Sequence, residues 1–128
     1  MERRQVSAYR PWEEIVGYCR AIRVGDVIEV SGTAAAGPDG AIHWPGDVEA
    51  QAREILQIIG DALAELGASL QDVVRTRVFL ADASRWQEAG RAHGEIFAQT
   101  RPATTFVAVS GFVDPHILVE IEATAIAG

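Results

Sequence analysis

Apolar and polar residues follow two different periods along this chain. Some stretches alternate between apolar and polar residues, which is typical of strands. Others place an apolar residue at every third or fourth position, which is typical of helices, and the two kinds of stretch alternate along the chain. The strand-like stretches are Tyr18–Val24, Val27–Gly32, Val73–Leu80, Thr104–Gly111 and Ile117–Ile126. Two helix-like stretches lie between them, so the order predicts an α+β sandwich in which two helices cover one face of a mixed sheet.

The first two strands are joined by Gly25-Asp26, a dipeptide that suits a tight hairpin turn. We therefore expect them to pair antiparallel. The polar segment that follows contains Pro38-Asp39-Gly40 and Pro45-Gly46, which are turn sequences. This segment is predicted to be a surface loop, and its "GPDG" is interpreted as a turn, not as a phosphate-binding loop.

The helices are indicated by their apolar stripes and their ends. The first helix begins at Asp47 and ends before Gly67, with the stripe Val48, Ala52, Ile55, Ile59, Ala62 and Leu66. The second opens with a capping-box pattern from Ser84 to Gln87. Its stripe consists of Trp86, Ala89, Gly90, His93 and Phe97.

The strands have a second face that the helices cannot cover. Alternation places Val74, Thr76, Val78 and Leu80 on one side of their strand, and Val73, Arg75, Arg77 and Phe79 on the other. In "VEIEATAI", Glu120, Glu122 and Thr124 share one side. A face that mixes acids, arginines and apolar residues is expected to be buried against another subunit.

Composition limits the function classes. The 128 residues are 48% hydrophobic and carry a net charge of −7, which predicts one globular domain over 1–128. That charge, without a basic tract, disfavours nucleic acid and anionic membranes as partners. The single cysteine, Cys19, excludes an intrachain disulfide. No signal-peptide pattern or membrane-length apolar run is present, so a cytoplasmic location is expected.

The spacing of the histidines and of the cysteine does not indicate a metal site or a catalytic nucleophile. His43, His93 and His116 have no metal-ligand spacing, so no metal site is predicted. His93 is interpreted as a core or interface residue. Cys19 has no histidine or aspartate near it in sequence and is interpreted as an ordinary thiol.

Several motifs together resemble one known family. "GYCRAIRVGDVIEVSG", "RPATT", "VEIEATAI" and the segment from Ala50 to Asp82 are similar to RidA proteins, also called YjgF or L-PSP-like proteins. The resemblance covers about Val16 to Ile126. It implies a chorismate-mutase-like fold and a homotrimer with a central barrel. It also implies small-ligand clefts between subunits and hydrolysis of enamines or imines to keto acids and ammonia, without metal or cofactor.

The same resemblance implies roles for particular residues. Glu120 matches the cleft glutamate that orients or activates the attacking water. Tyr18 matches an aromatic that closes the cleft, and Ser31-Gly32 match a strand end that lines it. For Tyr18 a packing role stays open, for Glu120 a structural ion pair stays open, and Glu122 has no assigned role.

One position departs from the family pattern. Deaminases of this family read Pro-Ala-Arg-Ser where this chain has Pro102-Ala103-Thr104-Thr105, so Thr104 replaces the arginine that holds the substrate carboxylate. The lost charge-assisted bond is worth roughly 1.5–3 kcal/mol, or at least about tenfold in binding. An asparagine of the second helix is also replaced, by Gly90. Thr104 and Thr105 remain candidate ligand-binding residues.

The remaining candidates for the missing positive charge are Arg75, Arg77 and Arg101. Arg101 precedes a proline and is expected to face away from Thr104. Arg75 and Arg77 are interpreted as members of an ion-pair network at the subunit interface, although a ligand-binding role stays open for them.

Three function classes follow. The first is a cleft that hydrolyses an imine, an enamine or a related C–N bond, on a molecule other than the usual 2-imino acids. The second is a non-catalytic ligand-binding or regulatory protein. The third, an endoribonuclease or translation inhibitor, is disfavoured because nothing in the sequence would hold RNA. The sequence does not decide between the first two.

Overall fold

The computed structural model describes residues 1–128 and contains one six-stranded sheet with helices on one of its faces. The strands are β1 (Arg3–Val6), β2 (Ala21–Val24), β3 (Val27–Thr33), β4 (Val73–Leu80), β5 (Ala103–Ala108) and β6 (Val119–Ile126). The helices are α1 (Glu13–Val16), α2 (Val48–Glu65) and α3 (Trp86–Phe97), with short 3-10 turns at Leu70–Asp72 and Ala83–Arg85. The predicted α+β class is confirmed. No helix combines the length and the apolarity needed to cross a bilayer.

The last strand in sequence occupies the middle of the sheet. The strand order is β1-β2-β3-β6-β4-β5, and every neighbouring pair is antiparallel except β4 and β5. Because β6 lies antiparallel between β3 and β4, those two strands run in the same direction. Helices α2 and α3 make the long connections from β3 to β4 and from β4 to β5, as parallel strands require.

The core lies between the helices and the covered face of the sheet. It is a cluster of 23 buried residues, in which Ile55, Ile59 and Leu63 of α2 pack against alternate residues of β3, β4 and β6. Full burial of each such side chain is worth about 1.5–3 kcal/mol. Asp47 caps α2 by accepting a hydrogen bond from the Ala50 N–H at 3.0 Å. The predicted first helix is therefore confirmed at its start.

Several local predictions were wrong. β1 and α1 were not anticipated, and β2 begins at Ala21, not at Tyr18. A bulge in β4 near its start turns Val73 into the core and Val74 outwards, the reverse of simple alternation. The predicted capping box at Ser84 does not form, because Asp82 accepts the Ser84 N–H at 2.9 Å in the preceding turn.

Candidate functional site

A bulge near the end of β3 brings Gly32 against the carboxylate of Glu120. Val30 pairs with Ala123 and Thr33 pairs with Ile121, so Ser31 and Gly32 together face a single residue of β6. A Cβ atom on Gly32 would lie 2.9 Å from Glu120 Oε1, closer than real Cβ contacts. Only glycine therefore fits there without moving the carboxylate. Bulges of this kind commonly redirect side chains beside active sites.

A cavity of about 330 Å³ lies beside this contact. Its polar lining consists of Arg10, Tyr18, Arg20, Ser31, Gly32 and Glu120. The rest of its wall is apolar and includes Trp12, Ile42 and Ile117. Three predicted site segments, from the first hairpin, the end of β3 and β6, thus meet at one cavity. We refer to it as the Glu120 cavity.

Glu120 has the electrostatics of a carboxylate that can act as a base. Its side chain is on the sheet face opposite the helices and is half-buried. Burial raises the pKa of Glu120 above its ordinary value, while the positive charge of Arg20 opposes this rise and Glu122 adds to it. A carboxylate with a raised pKa accepts a proton from water more readily than an exposed one.

Arg20 is the site residue that the sequence did not reveal. Its side chain is only 6% exposed, and Nη1 donates hydrogen bonds to the Gly32 carbonyl at 3.0 Å and to Thr33 Oγ1 at 2.9 Å. Its Nε is buried without a partner. Burial lowers the pKa of this arginine, and its Cζ lies 5.9 Å from the ring centroid of Tyr18. A charged residue before a strand is usually exposed, so composition and spacing gave no signal for it.

Tyr18 and Ser31 separate the Glu120 cavity from a second, more polar depression. The Ser31 hydroxyl donates to the Cys19 carbonyl at 2.7 Å, so its proton is occupied within the chain. The neighbouring groove, of about 620 Å³, is lined by Tyr18, Ser31 and mostly polar residues of the N-terminal segment. It does not include Glu120. The smaller cavity is therefore the better candidate site despite its size.

Thr104 and Thr105 do not line the Glu120 cavity of their own chain. The Thr104 hydroxyl lies 2.8 Å from that of Thr76, which in turn lies 2.8 Å from His93 Nε2 under α3. Thr105 accepts a hydrogen bond from Arg75 at 2.7 Å. Thr104 pairs with the buried Thr76 on the helix side of the sheet, whereas Glu120 is on the other side. Their contact with a ligand remains a prediction that requires a neighbouring subunit.

The arginines of β4 form polar contacts within the sheet. Arg77 Nη1 lies 3.2 Å from Glu122 Oε1, across the pairing of β4 with β6. The predicted ion pair is thus present for Arg77, and its place at a subunit interface stays a prediction. Neither Arg75 nor Arg77 lines the Glu120 cavity of the same chain.

The three histidines lie in separate surroundings. His43 lies 2.8 Å from Glu54, and His116 lies 3.0 Å from Asp114. Burial lowers the pKa of His93, which packs against the ring of Phe97. No group of three or more histidine, cysteine, aspartate or glutamate residues is arranged to hold a metal ion. Cys19 is half-buried and unpaired.

Comparison with known proteins gives a consistent answer. The family model described as Endoribonuclease L-PSP matches residues 10–127. A Mycobacterium tuberculosis protein of the YjgF/YER057c/UK114 family is 42% identical, with a TM-score of 0.88 over 98% of this chain and 100% of that one. The 3-aminoacrylate deaminase RutC of Acinetobacter baylyi is 32% identical over 84% of this chain and 85% of that protein. E. coli TdcF, solved with bound serine, is 25% identical, with a TM-score of 0.79 over 98% and 94% of the two chains.

Proposed function

Because this chain belongs to the Endoribonuclease L-PSP family, also called the YjgF or RidA family, we propose that its Glu120 cavity binds and hydrolyses a small metabolite. The bond broken is an imine, an enamine or a related C–N bond. The observation that carries this proposal is the half-buried Glu120 carboxylate, which has a raised pKa and lines an otherwise largely apolar cavity. The similarity to a 3-aminoacrylate deaminase supports the same reaction class.

The reaction needs only a base and a water molecule. The carboxylate of Glu120 accepts a proton from water while the water oxygen attacks the carbon of the C=N bond. The nitrogen takes up a proton, which gives a carbinolamine. The C–N bond then breaks, ammonia leaves and a C=O bond forms, so one water is consumed for each ammonia released. General acid–base catalysis by one positioned carboxylate typically contributes about 10²–10⁴-fold.

A homotrimer completes this proposal. The sheet face opposite the helices combines ion pairs such as Arg77–Glu122 with partly exposed apolar residues such as Phe79, so it suits a subunit interface better than bulk water. In such an assembly β5, an edge strand, can reach a neighbour's cavity. Thr104 then offers one neutral hydrogen bond where the family pattern has an arginine. We therefore expect weak or no hydrolysis of 2-aminoacrylate.

Isosteric removal of the proposed base tests the reaction. Imines are generated in situ from a panel of amino acids and primary amines by amino-acid and amine oxidases, and formation of the keto acid, ketone or aldehyde is followed with and without the protein. Glu120→Gln should lower any catalysed rate by about 10²–10⁴-fold, because the amide cannot accept the proton. Glu14→Gln, at an exposed position of α1, is the control and should keep the wild-type rate.

The outcomes also separate the alternative functions. Ligand binding in the cavity without turnover of any imine would favour a non-catalytic binding or regulatory protein. Labelled RNA should stay intact in the presence of the purified protein, because a net charge of −7 without a basic groove holds no phosphate backbone. RNA cleavage that disappears in Glu120→Gln would contradict the proposal.

A further inference from the structure

We propose that Arg20 binds an anionic group of the ligand and that this ligand also carries a sizeable apolar substituent. The inference deepens the proposed function, since it concerns the same cavity and names the class of molecule that enters it. It departs from the family pattern, which puts the anion-binding arginine at the position of Thr104 on β5. Here the charge comes from the segment between α1 and β2.

The donors of Arg20 are used on one side only. Nη1 is held by the Gly32 carbonyl and Thr33 Oγ1, while Nε and Nη2 donate to no atom within hydrogen-bond distance, and Tyr18 is the neighbouring side chain that interacts most with the guanidinium. These two nitrogens form the edge of the guanidinium that binds a carboxylate with parallel hydrogen bonds. Nε is fully buried, whereas Nη2 has no hydrogen-bond partner and is not fully buried. An incoming oxygen therefore reaches Nη2 first.

Arg20 is held beside Glu120 without pairing with it. Both residues line the same cavity and affect each other's pKa, yet no nitrogen of Arg20 lies within 4.0 Å of a Glu120 oxygen. The guanidinium is therefore not occupied by a direct ion pair with Glu120, although both groups line one cavity. The anion can bind Arg20 while another part of the same molecule meets the water at Glu120.

The local charge and the shape of the cavity define the rest of the ligand. Arg10 and Arg20 outnumber Glu120, so the lining is net positive although the chain is net negative. Both Nη atoms of Arg10 already donate to backbone carbonyls, of Ala8 and Ala36, whereas Nη2 of Arg20 donates to no backbone carbonyl. The volume of about 330 Å³ equals that of roughly ten water molecules at about 30 Å³ each. A three-carbon acid would leave most of the apolar wall around Trp12 uncovered.

Three commercially available probes test both parts without any variant. Phenylpyruvate carries a carboxylate and a ring, phenylacetone has a methyl group in place of the carboxylate, and pyruvate lacks the ring. Calorimetry or ligand-observed NMR on the full chain at pH 7 should give at least about tenfold tighter binding of phenylpyruvate than of either relative. Equal affinity for phenylpyruvate and phenylacetone would overturn the role of Arg20. Equal affinity for phenylpyruvate and pyruvate would overturn the apolar part.

Variants then assign the effect to Arg20. Arg20→Gln should weaken phenylpyruvate binding at least about tenfold and leave phenylacetone binding unchanged. Arg20→Lys keeps the charge and should retain part of the preference. Arg101→Gln, which changes an exposed arginine outside the cavity, is the control. No detectable phenylpyruvate binding by the wild type, or an unchanged preference in a folded Arg20→Gln protein, would overturn the inference. These readouts measure binding, so a failure of hydrolysis alone would refute only the proposed reaction.

Discussion

Gly32→Ala is the smallest change that should disturb the proposed reaction. The backbone of Gly32 does not lie in the left-handed region, so alanine fits its local conformation. The added methyl group would, however, stand 2.9 Å from Glu120 Oε1. Ordinary contacts of this kind begin at 3.4 Å, so the two atoms must separate by about 0.5 Å. The carboxylate is the flexible partner and should move.

The expected size of the effect follows from this displacement. Turning the end of one half-buried side chain off its preferred rotamer costs on the order of 0.5–1.5 kcal/mol, so the protein should still fold. Substrate positioning is less tolerant, since an error of about 1 Å can cost about 10²-fold in rate. We therefore expect roughly a tenfold loss of imine hydrolysis with a small loss of stability.

A second glycine provides a matched control. Gly94 is exposed within α3, and a Cβ added there would meet nothing within 4 Å. Gly94→Ala should keep the wild-type rate and raise the free energy of unfolding by about 0.5–1 kcal/mol, as alanine does in helices. Rates come from the in situ imine assay and stabilities from urea titration. Full activity of a folded Gly32→Ala protein would refute the proposed role of the Gly32–Glu120 contact.

Three further predictions can be checked with standard measurements. Burial raises the pKa of Glu120, so the protonated carboxyl group contributes to the stability of the folded state below about pH 4.5. This contribution is lost as the pH rises through the pKa of Glu120 in the folded protein. Glu120→Gln should therefore unfold at higher urea than wild type at pH 7 but not at pH 4; lower stability at pH 7 would contradict this. Thr104→Arg should bring measurable but partial 2-aminoacrylate hydrolysis, whereas Thr100→Arg should not, and equal rates in both would contradict it. Light scattering after size exclusion should give the mass of a trimer, and a monomer at micromolar concentration would contradict the shared cleft.

The sequence predicted those features that depend on local periodicity. The order of the long helices and of all strands but β1 follows from the two hydrophobic periods, and α2 begins where Asp47 predicts. The shared face of Glu120, Glu122 and Thr124 is also confirmed, since their neighbours in β6 are buried. In each case a residue's environment is decided by residues a few positions away, so one sequence is enough.

The features that shape the cavity depend on distant pairing and were missed. The bulge at Ser31-Gly32 exists only relative to β6, which comes much later in the chain. Arg20 is buried because the carbonyl of Gly32 and the hydroxyl of Thr33 accept its Nη1, and these partners meet it only when the strands pair. β1 is mostly exposed and lacks an apolar pattern, so its place at the edge of the sheet has no local signal.

Gly32 contacts two of the three charged residues of the cavity, Arg20 and Glu120, in different ways. Its carbonyl holds Nη1 of Arg20, and its missing side chain leaves space for the Glu120 carboxylate. Alanine keeps the carbonyl and fills the space, so Gly32→Ala should lower turnover while phenylpyruvate still binds. Arg20→Gln should weaken phenylpyruvate binding, because it removes the cation. It leaves the contact between Gly32 and Glu120 unchanged. If either change lowered binding and turnover by the same factor, the two charges would have to act as one unit, and separate roles for Arg20 and Glu120 would be wrong.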